Sequence, residues 1–220
     1  MRVAQHTSPT GETGGRESSR KAEEILVAAE RAFLESGFGA VTMDRVAREA
    51  GASKATVYAH FLSKEELFGA VVERVSQRRF GGFSVEALDP ADIGAALLTI
   101  AGRFLDLVLS PEAVALNRII IAEVTRFPTL AEIFWASGPE RTRAQIEAFL
   151  RRAAASGSLA IEDPRAAAEQ FAALARGEIH YRSLIRPAAA ADAAARAAAA
   201  ADAVATFLRA FARDRQADHR

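Results

Sequence analysis

Three observations predict an all-α chain. Alanine is abundant throughout, apolar residues recur at helical spacing between capping signals, and valine, isoleucine and threonine nowhere alternate as a half-buried strand requires. The 220 residues suffice for one large core or for a small domain beside a medium one. Half of them are apolar, yet no uninterrupted run reaches the roughly 18 residues of a membrane span, so none is expected. No apolar signal core lies near the start and no cysteine is present, which makes the cytoplasm the expected compartment. The formal net charge is +0, so any affinity for nucleic acid has to arise locally.

Residues 1–19, rich in Gly, Ser and Thr, read as a disordered tail. Arg2, Arg16 and Arg20 either serve as an arm for a DNA minor groove or are simply solvated. The first helix is expected from Arg20 to Ser36, burying Ile25, Ala29, Ala32 and Phe33 and stopping at Gly37. The stretch Val41 to Phe68, VTMDRVAREAGASKATVYAHFLSKEELF, then packs three starts and stops almost back to back. Thr42 caps a helix whose stripe is Met43, Val46, Ala47 and Ala50, and Gly51 ends it. Ser53 caps a second, running to about Phe61, with Val57 and Phe61 inward. Its outward set, Lys54, Ala55, Thr56, Tyr58 and His60, contains no acid and suits an anionic partner. Ser63-Lys64-Glu65-Glu66 has the form of a capping box, opening a helix with Leu67, Phe68, Val71, Val72 and Val75 on one face, continuing to about Arg79 before Gly81-Gly82. Two helices about a tight glycine turn form a helix-turn-helix, whose second member enters the major groove.

Further on, Asp89-Pro90 and Ser110-Pro111 are cap-then-proline pairs that predict helix starts. The first of these helices would bury Ile93, Leu97, Ile100, Phe104, Leu107 and Val108. The second would run to about Arg126 before Phe127-Pro128. Ser137-Gly138-Pro139 marks another break, followed by a helix from about Pro139 to Ala155. Asp163-Pro164 opens a long helix to about Ile185, and an alanine-rich one follows from about Ala190 to Arg213, leaving 214–220 as a tail. Ala168, Ala172, Ala175 and Gly177 form a small-residue face that suits either a four-helix interface between two subunits or close packing within one.

The run TMDRVAREAGASKATVYAHFLSKEELF resembles the DNA-binding signature of the TetR family of transcriptional regulators along its whole length. The segment AEVTRFPTLAEIFWASGPER resembles the C-terminal part of the AefR-like members. The resemblance implies a three-helix DNA-binding domain at 20–80, a larger helical ligand-binding and dimerisation domain at 83–213, a homodimer and a palindromic operator in double-stranded DNA. Two departures bear on the operator: Ala55 stands where glycine is common, and Ala59 where a larger, often aromatic, phosphate-contacting residue is common.

Within this frame Thr42, Tyr58 and Lys64 are the expected phosphate contacts, Ser53 a cap, Lys54, Ala55 and Thr56 the base-edge candidates, and His60 a further phosphate candidate. A cavity lined by Phe104, Val108, Ile120, Phe134, Trp135, Phe149 and Tyr181 would take a small hydrophobic effector, although such aromatics also make ordinary core. Asn117, Arg118, Glu123, Glu178 and His180 are polar positions in apolar stretches, suited to orienting a ligand or to pairing locally, as Glu123 would with Arg126. His6, His60, His180 and His219 have no Cys or carboxylate partners at ligand spacing, and no phosphate loop or nucleophile elbow is present. Neither catalysis, metal nor cofactor is expected. The expected function is a repressor released from its operator by the effector. The alternative is a DNA-binding protein without effector, acting architecturally or through a protein partner, which filled packing around Phe104 and Trp135 would favour.

Overall fold

The computed structural model describes residues 11–81, 84–186 and 192–212. The expectations for residues 1–10, including Arg2 and His6, and for 214–220, including His219, lie outside the described residues. Ten α-helices and no strand beyond one isolated bridge, Leu159 to Ala212, make up the described residues. They fall into two compact units, Met1–Val71 and Val72–Arg220.

The first unit contains α1 (Gly11–Ala40), α2 (Met43–Glu49), α3 (Lys54–His60) and the opening turns of α4 (Lys64–Ser76). The tail expected to residue 19 is therefore helical from Gly11 onward. At Gly37 the backbone leaves helical geometry with φ 76°, a left-handed value that an L side chain resists, and the chain folds back so that Phe38 meets Phe33. Phe33, Phe38 and Phe68 form the aromatic centre, with edge-on centroid separations of 5.3 and 5.5 Å to Phe68. Such pairs add about 0.5–1.5 kcal/mol each beyond the area they bury. Ile25, Val46, Val57, Leu67 and Val71 close the core around them. Arg45 ties α2 to α1, donating to Glu49 at 2.7 Å, to Ser36 Oγ at 2.7 Å and to Glu35 at 3.2 Å. That hydrogen bond to Arg45 and a second from Arg31 hold the Glu49 carboxyl below its ordinary pKa.

The second unit begins with the last turns of α4, which pass into a π-helical turn, Gln77–Gly81, where an unbroken α-helix to Arg79 is expected. A 3-10 turn (Val85–Ala87), α5 (Ile93–Val108), α6 (Pro111–Glu123), α7 (Thr129–Ser137), α8 (Pro139–Ala155), α9 (Pro164–Ile185) and α10 (Ala193–Phe211) follow. Asp89-Pro90 does not start α5. The Asp89 carboxylate instead accepts from Ala91 N–H in a local turn, and Asp92 caps the helix through Ala95 N–H. Ser110 and Asp163 cap α6 and α9 as their sequence contexts predict. The core is built by α5, α8, α9 and α10. It contains Leu97, Ile100, Leu105, Phe149, Phe171 and Phe207, with the last two edge-on at 5.1 Å. Ala168, Ala172 and Ala175 are buried in this core, so the packing of these alanines is within one chain. Their missing side-chain bulk lets α9 lie close to its neighbours. α9 is broken at Gly177, where φ is 40° and ψ is −152°.

Candidate functional site

Two places in the molecule combine accessibility with groups able to recognise a ligand. The first is the α2–α3 turn. Gly51, at φ 57°, lets Ala52 N–H reach Ala47 O at 2.9 Å and Gly51 N–H reach Arg48 O at 3.3 Å, which closes α2 and turns the chain sharply into α3. Thr42 Oγ1 accepts from Arg45 N–H and Ser53 Oγ from Thr56 N–H, so both are caps. Val57 and Phe61 are buried, which leaves Lys54, Ala55 and Tyr58 exposed and Thr56 and His60 half-buried.

Electrostatically this face differs from its sequence. Lys54 Nζ lies 2.8 Å from Asp44 Oδ1, and that hydrogen bond to Asp44 raises the Lys54 pKa. The cation that stands alone in the chain is therefore paired in the fold. Thr56 Oγ1 lies 2.8 Å from Ser53 Oγ, so this hydroxyl too has a partner before any ligand arrives. Lys64 is turned onto its own domain: Nζ donates to Phe38 O at 2.9 Å and sits 4.3 Å from the Phe38 ring centroid. The capping box is offset by one residue. Glu66 N–H donates to Ser63 Oγ, while the Glu66 carboxylate accepts from Leu62 N–H rather than from that of Ser63. Asp44 is the residue that sequence reasoning missed, because ten positions and a turn separate it from Lys54.

The second place is a cavity of about 390 Å³ wholly within the second unit. Phe104, Val108, Asn117, Phe134, Trp135 and His180 line it, and the sequence points to all six. Three expected members do not. Phe149 is fully buried core, Tyr181 is 60% exposed, and Ile120 is half-buried off the lining. Among the polar candidates, Arg118 donates to Leu184 O at 2.8 Å and Ser183 O at 2.6 Å, which satisfies carbonyls at the end of α9 rather than a ligand. Glu178 faces solvent and Glu123 is off the lining. Asn117 lines the cavity with its amide already donated to Ala113 O.

The polar wall is richer than the sequence suggests, since Ser76, Thr142, Arg143, Glu169 and Arg176 also line it. Arg143, whose side chain is only 8% exposed, pairs with Glu140, Glu147 and Glu169. Arg176 has no carboxylate partner among the described residues and donates only to Ala172 O, at 3.3 Å. Burial holds the pKa of Arg176 down. Burial also lowers that of His180, with the Arg176 charge adding to it, and His180 Nε2 is buried without a hydrogen-bond partner. One signal was present in the chain. Arg176 follows Ala172 by four residues, which sets the two along one side of α9 ahead of its break at Gly177, whereas His180 lies beyond that break.

Among the described residues no group of three His, Asp or Glu could hold a metal ion, and no single helix is long and apolar enough to cross a membrane.

Comparison with known proteins matches a segment of each unit to a described family. Residues 25–71 match the model of the bacterial regulatory proteins of the tetR family. Residues 95–213 match the C-terminal domain of the AefR-like transcriptional repressors. Among solved structures, the flavonoid-responsive regulator FrrA is 36% identical, with a TM-score of 0.74 over 88% of this chain and 98% of its own. A TetR-family regulator from Mesorhizobium loti is 28% identical, with a TM-score of 0.76 over 89% and 98%. The transcriptional activator FasR of Mycolicibacterium smegmatis is 45% identical over 51 residues, and that likeness spans only 23% of either chain. From both of its matched segments, and from the class of its relatives, the chain belongs to the TetR family of transcriptional regulators and not to any family of enzymes.

Proposed function

We propose that the chain acts in the cytoplasm as a homodimeric repressor that binds a palindromic operator through residues 20–80 and is released when a small, largely apolar effector enters the part spanning 83–213. The cavity carries the effector half of this reading. Filled packing around Phe104 and Trp135 would have favoured the effector-independent alternative, and both residues instead line a space of drug-like size. FrrA, a flavonoid-responsive regulator of the same fold, supports a planar aromatic effector. For the DNA half, Lys54, Ala55 and Thr56 in the first turn of α3 are the base readers. Thr42, Tyr58 and His60 serve as backbone contacts, and Lys64 joins them only by turning from Phe38 O.

α4 supplies the coupling. Its opening turns give Leu67, Phe68 and Val71 to the core of the first unit, while Val72, Val75 and Ser76 line the cavity of the second. A ligand that favours one position of this helix shifts the spacing of two recognition helices from the roughly 34–36 Å of successive grooves. Exposed positions on the last two helices, including Leu174, Tyr181 and Ile185 on α9, offer the face for a second subunit.

Selection of bound duplexes from a random pool, followed by titration of the winner at two salt concentrations, tests the DNA half. A palindromic winner with steep salt dependence is the expected result. No enriched sequence, at salt low enough to reveal non-specific binding, refutes it.

A further inference from the structure

The cavity has one pole whose polar groups are not spoken for, and resting on the effector reading above, that pole narrows the chemistry of the ligand. We propose that the effector is an apolar molecule carrying one oxyanion, a carboxylate or ionised phenol, seated against Arg176 and His180.

Four observations lead there. Of the five N–H donors of a guanidinium, Arg176 uses one, on a backbone carbonyl, and none on a carboxylate. A desolvated cation without a counter-charge is costly, and a ligand anion is the group that offsets it. His180 leaves Nε2 buried and unpaired in the same cavity wall. Its depressed basicity keeps the ring neutral at pH 7, so the tautomer with hydrogen on Nε2 adds a second donor to the same oxygen pair. The one carboxylate in the lining, Glu169, is engaged by Arg143 at 3.9 Å and Arg165 at 3.6 Å, so it does not compete as an internal partner of Arg176. The remaining wall, including Phe104, Val108, Phe134, Trp135 and Ile146, is built for a flat apolar body. A purely hydrocarbon ligand would leave Arg176 and His180 as they stand, and a cationic one would meet the Arg176 charge.

Calorimetric titration of the full chain at pH 7.5 tests this with matched pairs: 2-naphthoic acid and 4-biphenylcarboxylic acid, each against its methyl ester, and 2,4-dichlorophenol against its methyl ether. In the wild type the acid of at least one pair should bind about tenfold to a hundredfold tighter than its neutral partner, the range of a charge-assisted hydrogen bond. Arg176→Gln should remove that preference while neutral partners bind within about threefold of wild type. His180→Phe should reduce the preference in part, and it keeps the test open if Arg176→Gln does not fold. Equal binding of acids and neutral partners, or an acid preference that survives both substitutions, overturns the proposal while leaving the effector reading intact. Absence of binding by every compound counts against both.

Discussion

Adding one methyl group at Gly138 would ask α4 and the start of α8 to share space they do not have. A Cβ built there lies 2.9 Å from Val72 Cγ1 and 3.2 Å from Ser76 Oγ, where ordinary contact begins near 3.4 Å. The Val72 side chain is stiff at χ1 and 3% exposed, so the half-ångström shortfall has to be taken up by movement of α4. Overpacking of this kind costs about 1–3 kcal/mol. At about 2–4 °C per kcal/mol for a chain of this length, Gly138→Ala should lower Tm by roughly 2–12 °C in a thermal-shift assay. Val72→Ala removes the clashing methyl, so the double variant should recover about 1–2 kcal/mol relative to the sum of the single changes. Because the displaced helix also carries Leu67 and Phe68, fully buried in the first unit, operator affinity of Gly138→Ala should fall severalfold by gel shift and recover in the double variant. An unchanged Tm would refute the close approach. A lowered Tm with unchanged operator affinity would refute the role of α4 as the link.

Three further expectations follow from pairs already described. Lys54→Ala should relax sequence preference, whereas Asp44→Ala frees Lys54 and should tighten binding to all duplexes, steepening the salt dependence by up to about 0.9 in log-log slope. Unchanged binding and slope in Asp44→Ala would mean that the pair does not hold Lys54 back from DNA. His180 has a folded pKa below its ordinary 6.5, so the unfolded chain binds the extra proton. Stability is then complete above that value and falls as pH drops from 6.5 toward the folded pKa, and His180→Phe should flatten the Tm profile in that window. Arg176→Met relieves a half-buried unpaired cation and should leave the ligand-free protein as stable as wild type or more so; a clear fall in Tm would show that Arg176 is structural.

Local chemistry was legible and distant pairing was not. Thr42, Ser53, Ser63, Ser110 and Asp163 announce their helices because a cap is settled within three residues of chain. Asp89, with proline after it, reads as the cap of α5, yet its carboxylate closes a turn on Ala91 and the cap falls to Asp92. The first-unit core was readable from helical spacing, whereas of the cavity's apolar lining only Phe104, Val108, Phe134 and Trp135 were, because Val72, Val75, Leu107, Leu116 and Ile146 sit on the same stripes as ordinary core. The Lys54–Asp44 pair, the Lys64 bond to Phe38 O and the partnering of Arg118 with α9 carbonyls join positions whose proximity only the tertiary fold creates. The break at Gly177 was missed for a related reason: a glycine amid alanines reads as one more small residue until its φ is known.

On the DNA reading proposed above, the carboxylate beside Lys54 has a consequence for how such a regulator would find its site among millions of competitors. On arbitrary DNA, Lys54 can exchange Asp44 for a phosphate with little net gain, and the stranded Asp44 then faces a polyanion. Only where α3 finds base edges that repay the exchange does the complex gain. The pair therefore sacrifices affinity everywhere to weaken the background most, which in a genome full of decoys is worth more than tight binding itself.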